Sequence, residues 1–190
     1  MTTTYALLLR GINVGGHRKV PMAELRALLE GLGYGDVQTY LQSGNAAFAV
    51  PGAERSDETV RQTVEAAIEK RFGFTVDCLV RDHDYLAAVE RDCPFPAAGL
   101  EGKQLHAFYL SGPVDEQRFA GLDREAFRPE AFALGDRVLY LYAPDGLGRS
   151  KLGEALSRPA LFKGLTVTAR NWNTVRKLVR MTEVAQPDGR

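Results

Sequence analysis

The chain has 190 residues, 45% of them hydrophobic and 25% charged, enough apolar material for one large globular domain or two small ones. Lysine plus arginine balance aspartate plus glutamate at 24 each, so no global field recruits polyanions or a membrane surface, although a local basic patch remains allowed. The start Met1-Thr2-Thr3-Thr4 has no cationic, apolar leader, no run reaches membrane-spanning length, and Cys78 and Cys93 suit neither a disulfide framework nor a metal knuckle. The expectation is a cytoplasmic protein with both thiols reduced and packed.

Tyr5 to Ile12 is a nearly continuous apolar run, as a central strand requires, and Pro21 opens a helix with Met22, Leu25, Leu29 and Leu32 on one face. Val37 to Gln42 and Ala46 to Val50 read as a hairpin around Ser43-Gly44-Asn45. Ser56 caps a second helix carrying Val60, Val64, Ala67 and Ile68 and closed by Gly73. Phe74 to Val80 alternates as a fourth strand, and Asp82 caps a third helix that must stop by Cys93-Pro94.

After the Pro/Gly-rich stretch the order recurs. It comprises a strand Gln104 to Leu110, a helix Pro113 to Leu122, and a hairpin Glu130 to Leu134 and Arg137 to Tyr142 around Gly135-Asp136. A short helix capped by Ser150, a strand Leu165 to Thr168 and a helix with Val175, Leu178 and Val179 follow. The fold class expected is α+β, a duplicated ferredoxin-like arrangement (βαββαβ plus an appended helix) with antiparallel sheets. Its domains are residues 1–93 and 104–190, joined by 94–103.

In that topology the loop after the first strand and the hairpin turn leave the same sheet edge. They would gather Arg10, Asn13, Gly15, Gly16, Lys19, Ser43 and Asn45 into one polar cluster. In the second half the loop Pro144 to Lys151 and the segment Ala169 to Asn171 would bring Ser150 and Lys151 beside Arg170, Asn171 and Asn173. If unlike edges of the halves met, both clusters would line one cleft.

Each cluster has two readings. Glycine N–H groups, a guanidinium fork, amides and a helix start suit an anionic oxygen ligand such as a phosphate or nucleotide. The same residues also suit turns, caps and ion pairs. Neither a Walker A loop nor a dinucleotide fingerprint is present. His17, His83 and His106 stand on separate elements without metal-ligand spacing, and no triad assembles around His17, Ser43 or Ser150. No metal and no cofactor is expected, and the catalytic residues are undetermined. Tyr109, Tyr140 and Tyr142 on neighbouring strands open a less favoured alternative, stacking of single-stranded nucleic-acid bases. A third makes the clusters structural glue in an interaction module.

Three segments, Leu8 to Gly16, Thr39 to Asn45 and Thr168 to Thr174, with Gly148 to Leu152 beside them, closely resemble the bacterial domain of unknown function 1697. The resemblance spans nearly the whole chain and implies a duplicated α+β fold. It marks Arg10, Gly11, Asn13, Gly15, Gly16, Ser43, Gly44, Asn45, Arg170, Asn171 and Asn173 as hallmark positions, and it brings no activity with it.

Overall fold

A computed structural model describes residues 2–52 and 56–183. The chain divides into two compact units, Met1–Ala87 with Leu178–Arg190, and Ala88–Lys177. Each holds a four-stranded sheet in which neighbouring strands run antiparallel. Among the described residues no helix is long and apolar enough to cross a membrane.

In the first unit β1 (Thr2–Leu9), β2 (Gly35–Tyr40), β3 (Asn45–Pro51) and β4 (Cys78–Asp82) lie in the order β2-β3-β1-β4. Alternate residues Tyr5, Leu7 and Leu9 of β1 and Ala46, Phe48 and Val50 of β3 join the core with Leu25 and Leu29 of α1 (Met22–Gly31). Val60, Val64 and Ile68 of α2 (Asp57–Phe72) enter the same core at four-residue spacing. Full burial of such side chains contributes roughly 1.5–3 kcal/mol each. Ala6, Leu8 and Ala47 on the alternate positions are also buried, which explains why β1 reads as an unbroken apolar run.

The ends of α2 follow from local chemistry. Ser56 Oγ accepts from Thr59 N at 3.2 Å, and Gly73 takes the left-handed cap at φ 77°. The expected fourth strand is displaced: Phe74 to Val76 precede it, and β4 ends at Asp82, whose carboxylate accepts from Tyr85 N to open α3 (His83–Arg91).

The second unit contains β5 (Leu105–Leu110), β6 (Ala131–Gly135), β7 (Val138–Tyr142) and β8 (Val167–Asn171) in the order β6-β7-β5-β8. Phe108, Leu110, Leu139 and Leu141 meet Phe119, Phe162 and Leu152 and Leu156 of α4 (Lys151–Leu156) in its core. On the alternate strand positions Tyr109 and Tyr140 are buried, and the Tyr140 ring lies 6.3 Å from that of Trp172, the first residue of α5 (Trp172–Thr182).

Three expectations change here. The helix expected at Pro113 to Leu122 is instead a single 3-10 turn, Glu116–Phe119, followed by another at Arg124–Phe127. Asp115 and Asp123 each start a fresh turn, accepting from Gln117 N and Glu125 N, and Gly121 between them removes any reason to continue one helix. The β6–β7 turn is Asp136-Arg137, one residue later than read, with Arg137 at φ 50°. The last strand runs three residues beyond its expected end at Thr168, so Arg170 and Asn171 belong to β8 and not to a loop: Arg170 faces Ala107 and Asn171 faces His106 across the ladder.

Candidate functional site

In the first unit β1 and β2 both run antiparallel to β3, so the loop after β1 and the turn after β2 emerge at one edge. Asn13 fastens them. Its Nδ2 donates to Val20 O at 3.0 Å and to Gln42 O at 2.8 Å, while its Oδ1 accepts from Val20 N at 2.9 Å. The amide of Asn13 is therefore committed to backbone. Between Asn13 and Arg18 the chain forms a miniature hairpin, in which Asn13 N donates to Arg18 O and Val14 pairs with His17. Gly15 and Gly16, at φ 58° and 79°, supply the two positive φ values that such a tight turn requires. Asn45, fully buried, donates from Nδ2 to Tyr40 O at 2.8 Å and to Ser43 Oγ at 3.1 Å, holding the β2–β3 turn.

The charges of this cluster are exposed. Arg10 reaches Asp77 at 3.3 Å with both side chains more than half exposed, a pair worth little by itself. Lys19 lies at the rim of an open depression of about 580 Å³ lined with Asn13, Gly16, Gln42 and the start of α1 at Pro21, Met22 and Ala23. Proline is the N-cap of α1 and no side chain caps the helix; Glu24 N and Leu25 N turn back to Pro21 O. The preceding N–H groups have no intrahelical partner and carry the positive end of the helix dipole into this depression.

The second cluster is assembled differently. Ser150 caps α4 by accepting from Gly153 N at 2.7 Å and donates its own proton to a Glu130 carboxylate oxygen. Glu130 also accepts from Lys151 N at 3.2 Å and Leu152 N at 2.9 Å. The chain's own carboxylate thus occupies the helix start that glycines and Lys151 suggested for an external anion. Glu130 carries no signal in the sequence, because twenty residues separate it from Ser150 and only the fold closes that distance.

Arg170 is buried on β8; its guanidinium donates to Thr168 Oγ1 at 2.7 Å and to Ala169 O at 2.8 Å, and burial lowers its pKa. Asn171 Oδ1 accepts from Thr174 N at 3.0 Å and caps α5. Asn173 is exposed, and its amide lies against the Cα of Gly102, where a Cβ would collide with it; Trp172 N donates to Gly102 O at 3.0 Å. Arg170 and Asn171 therefore serve strand backbone and a helix cap, while the buried Trp172 Nε1 has no hydrogen-bond partner among the described residues.

The family model described as a protein of unknown function, DUF1697, matches residues 1–140. This chain belongs to that family. A solved structure of a conserved bacterial protein from Streptococcus pneumoniae is similar over 96% of this chain and 100% of its own, with 26% identity and a TM-score of 0.75. A comparison with curated proteins gave no match.

Within this member of the family, the hallmark asparagines Asn13, Asn45 and Asn171 organise backbone, whereas Lys19, Gly16 and Asn173 are exposed. His17 is exposed, His83 Nδ1 lies 3.1 Å from Thr182 Oγ1, and His106 is buried on β5. Ser43 Oγ and Ser150 Oγ hydrogen-bond to Asn45 and to Glu130 and Gly153. Among the described residues no three His, Cys, Asp or Glu side chains converge as metal ligands.

Proposed function

We propose that this family member binds a small anionic ligand, a phosphate or a nucleotide phosphate, in the depression at the start of α1. The observation that carries this reading is the helix N-terminus without a side-chain cap, opening beside the exposed Lys19. Gly16 leaves open space there, and Gln42 offers a further amide. Arg10 and Arg18, both exposed, add positive charge to the loop. The second cluster serves structure in this reading, since Glu130 already meets the start of α4.

Thermal-shift and calorimetric titrations with inorganic phosphate, pyrophosphate and adenine nucleotides test it. Wild type is expected to gain stability as ligand exceeds its dissociation constant. Lys19→Ala and Met22→Pro should abolish the gain; proline at the first helical position removes one N–H while keeping helical geometry. No shift with any anion, or shifts in both variants equal to that of wild type, rejects the site.

We also read the architecture as two similar ferredoxin-like subdomains, 1–93 and 104–190, joined by 94–103. The support is the shared strand order, with the first strand of each sheet between the third and the fourth. A second reading of the hallmark residues, as internal staples, is favoured by the fully committed amide of Asn13. The two readings divide the residues between them: Asn13→Ala and Asn45→Ala should lower stability and leave any ligand dissociation constant unchanged once the variants are folded. The nucleic-acid alternative has less support, because, of its three tyrosines, Tyr109 and Tyr140 are buried, Tyr140 Oη donating to Val89 O at 2.9 Å, and Tyr142 is half-buried.

A further inference from the structure

Val14 and Leu41 are the large hydrophobic side chains most exposed among the described residues, at 68% and 52%. Single exposed apolar residues need no explanation. These two, however, project from the two loops that Asn13 ties together through Gln42 O, so they share one end of the first unit. Leu41 is doubly costly there: it is exposed, and it holds φ 59°, a left-handed conformation that glycine or asparagine adopts more cheaply. Glycine or asparagine would satisfy the turn at lower cost, so local preference does not account for the leucine.

The two loops themselves carry one sign of charge. No aspartate or glutamate occurs from Thr2 to Ala23 or from Val37 to Gly52, while Arg10, His17, Arg18 and Lys19 lie on the first loop and are all exposed. Asp77, which pairs with Arg10, is the acidic group facing this loop from β4's approach. Arg18 and Lys19 therefore remain as cations beside two aliphatic tips. The apolar side chains of these tips are aliphatic, not the aromatic platforms on which bases stack or the tryptophan and tyrosine anchors of protein interfaces.

We infer that this loop pair docks reversibly on an anionic phospholipid surface, Val14 and Leu41 entering the boundary between headgroups and acyl chains and Arg18 and Lys19 meeting lipid phosphates. An apolar tip ringed by cations is the pattern of a peripheral contact that requires no spanning helix. With two small anchors the contact is weak, and salt weakens it further. The inference stands on the exposed tips and does not require the depression at α1 to be filled.

Co-sedimentation of the full chain with phosphatidylglycerol-containing vesicles, with phosphatidylcholine vesicles as the comparison, decides it. Expected are binding to the anionic vesicles alone, its loss at high salt, and a drop of about tenfold or more for the Val14→Ser, Leu41→Ser double variant. Unchanged unfolding of that variant shows that the loss is not misfolding. Equal binding of variant and wild type, absence of binding to anionic vesicles, or capture of a single-stranded oligonucleotide that depends on both residues overturns the inference. Phosphate titrations separate the two sites: a phosphate response of the double variant that survives while vesicle binding is lost supports both readings, and vesicle binding by a wild type that shows no phosphate response at all sinks only the earlier one.

Discussion

At Gly44 two constraints meet that no other residue type satisfies. Its φ is 86°, and a Cβ would come within 2.6 Å of Ile12 Cδ1 and 2.9 Å of Leu9 Cβ, both in the buried core. Gly44→Ala is expected to cost about 2–4 kcal/mol, summing left-handed strain and overpacking, as measured by denaturant unfolding. His106 presents a constraint of charge. It is 6% exposed on β5, and burial pushes its pKa below the ordinary 6.5. The folded state then binds fewer protons than the unfolded chain, so stability is intact above pH 6.5 and falls as pH drops toward the lower folded value. His106→Leu should flatten that slope between neutral and mildly acidic pH in unfolding titrations, and an unaltered slope would reject the assignment.

Among the elements, α4 shows how a short helix is held. Its six residues are too few for intrinsic stability, and two of its first N–H groups and the Ser150 hydroxyl converge on the Glu130 carboxylate. Glu130→Ala leaves those donors without their acceptor and should cost roughly 1–3 kcal/mol, with early loss of amide protection at Lys151 and Leu152 in hydrogen exchange. The regular elements were readable where one interaction dominates. The period of Val60, Val64 and Ile68, bracketed by Ser56 and Gly73, places α2 correctly because cap, stripe and stop agree. The helix expected at Pro113 to Leu122 does not form because Asp115, Gly121 and Asp123 outweigh a weak apolar stripe. The strand expected to end at Thr168 continues to Asn171 because Arg170 and Asn171, polar in any local pattern, are paired with Ala107 and His106 of β5, partners that only the fold supplies.

At the scale of the whole molecule, Cys78 reports on integrity. It is 1% exposed in the first core, and burial raises its thiol pKa, so the thiolate is disfavoured twice over. Cys93 is only half-buried. Thiol titration should therefore label Cys93 in the native protein and Cys78 at the rate of opening of the first unit; rapid labelling of both would contradict the packed core.

The sequence by itself determined the α+β class, most of the helix ends, both hairpins and the membership of this chain in its family, since caps, turns and periodicity act over a few residues. It also singled out the loops that matter. Only the tertiary structure decided how their donors are used. Glu130 reaches α4, Arg170 lies within a strand, Asn13 is spent on Val20 and Gln42, and Lys19 remains exposed beside an uncapped helix. A hydrogen-bonding side chain has the same chemistry whether it faces backbone or solvent, and that choice is made by which distant segment folds against it.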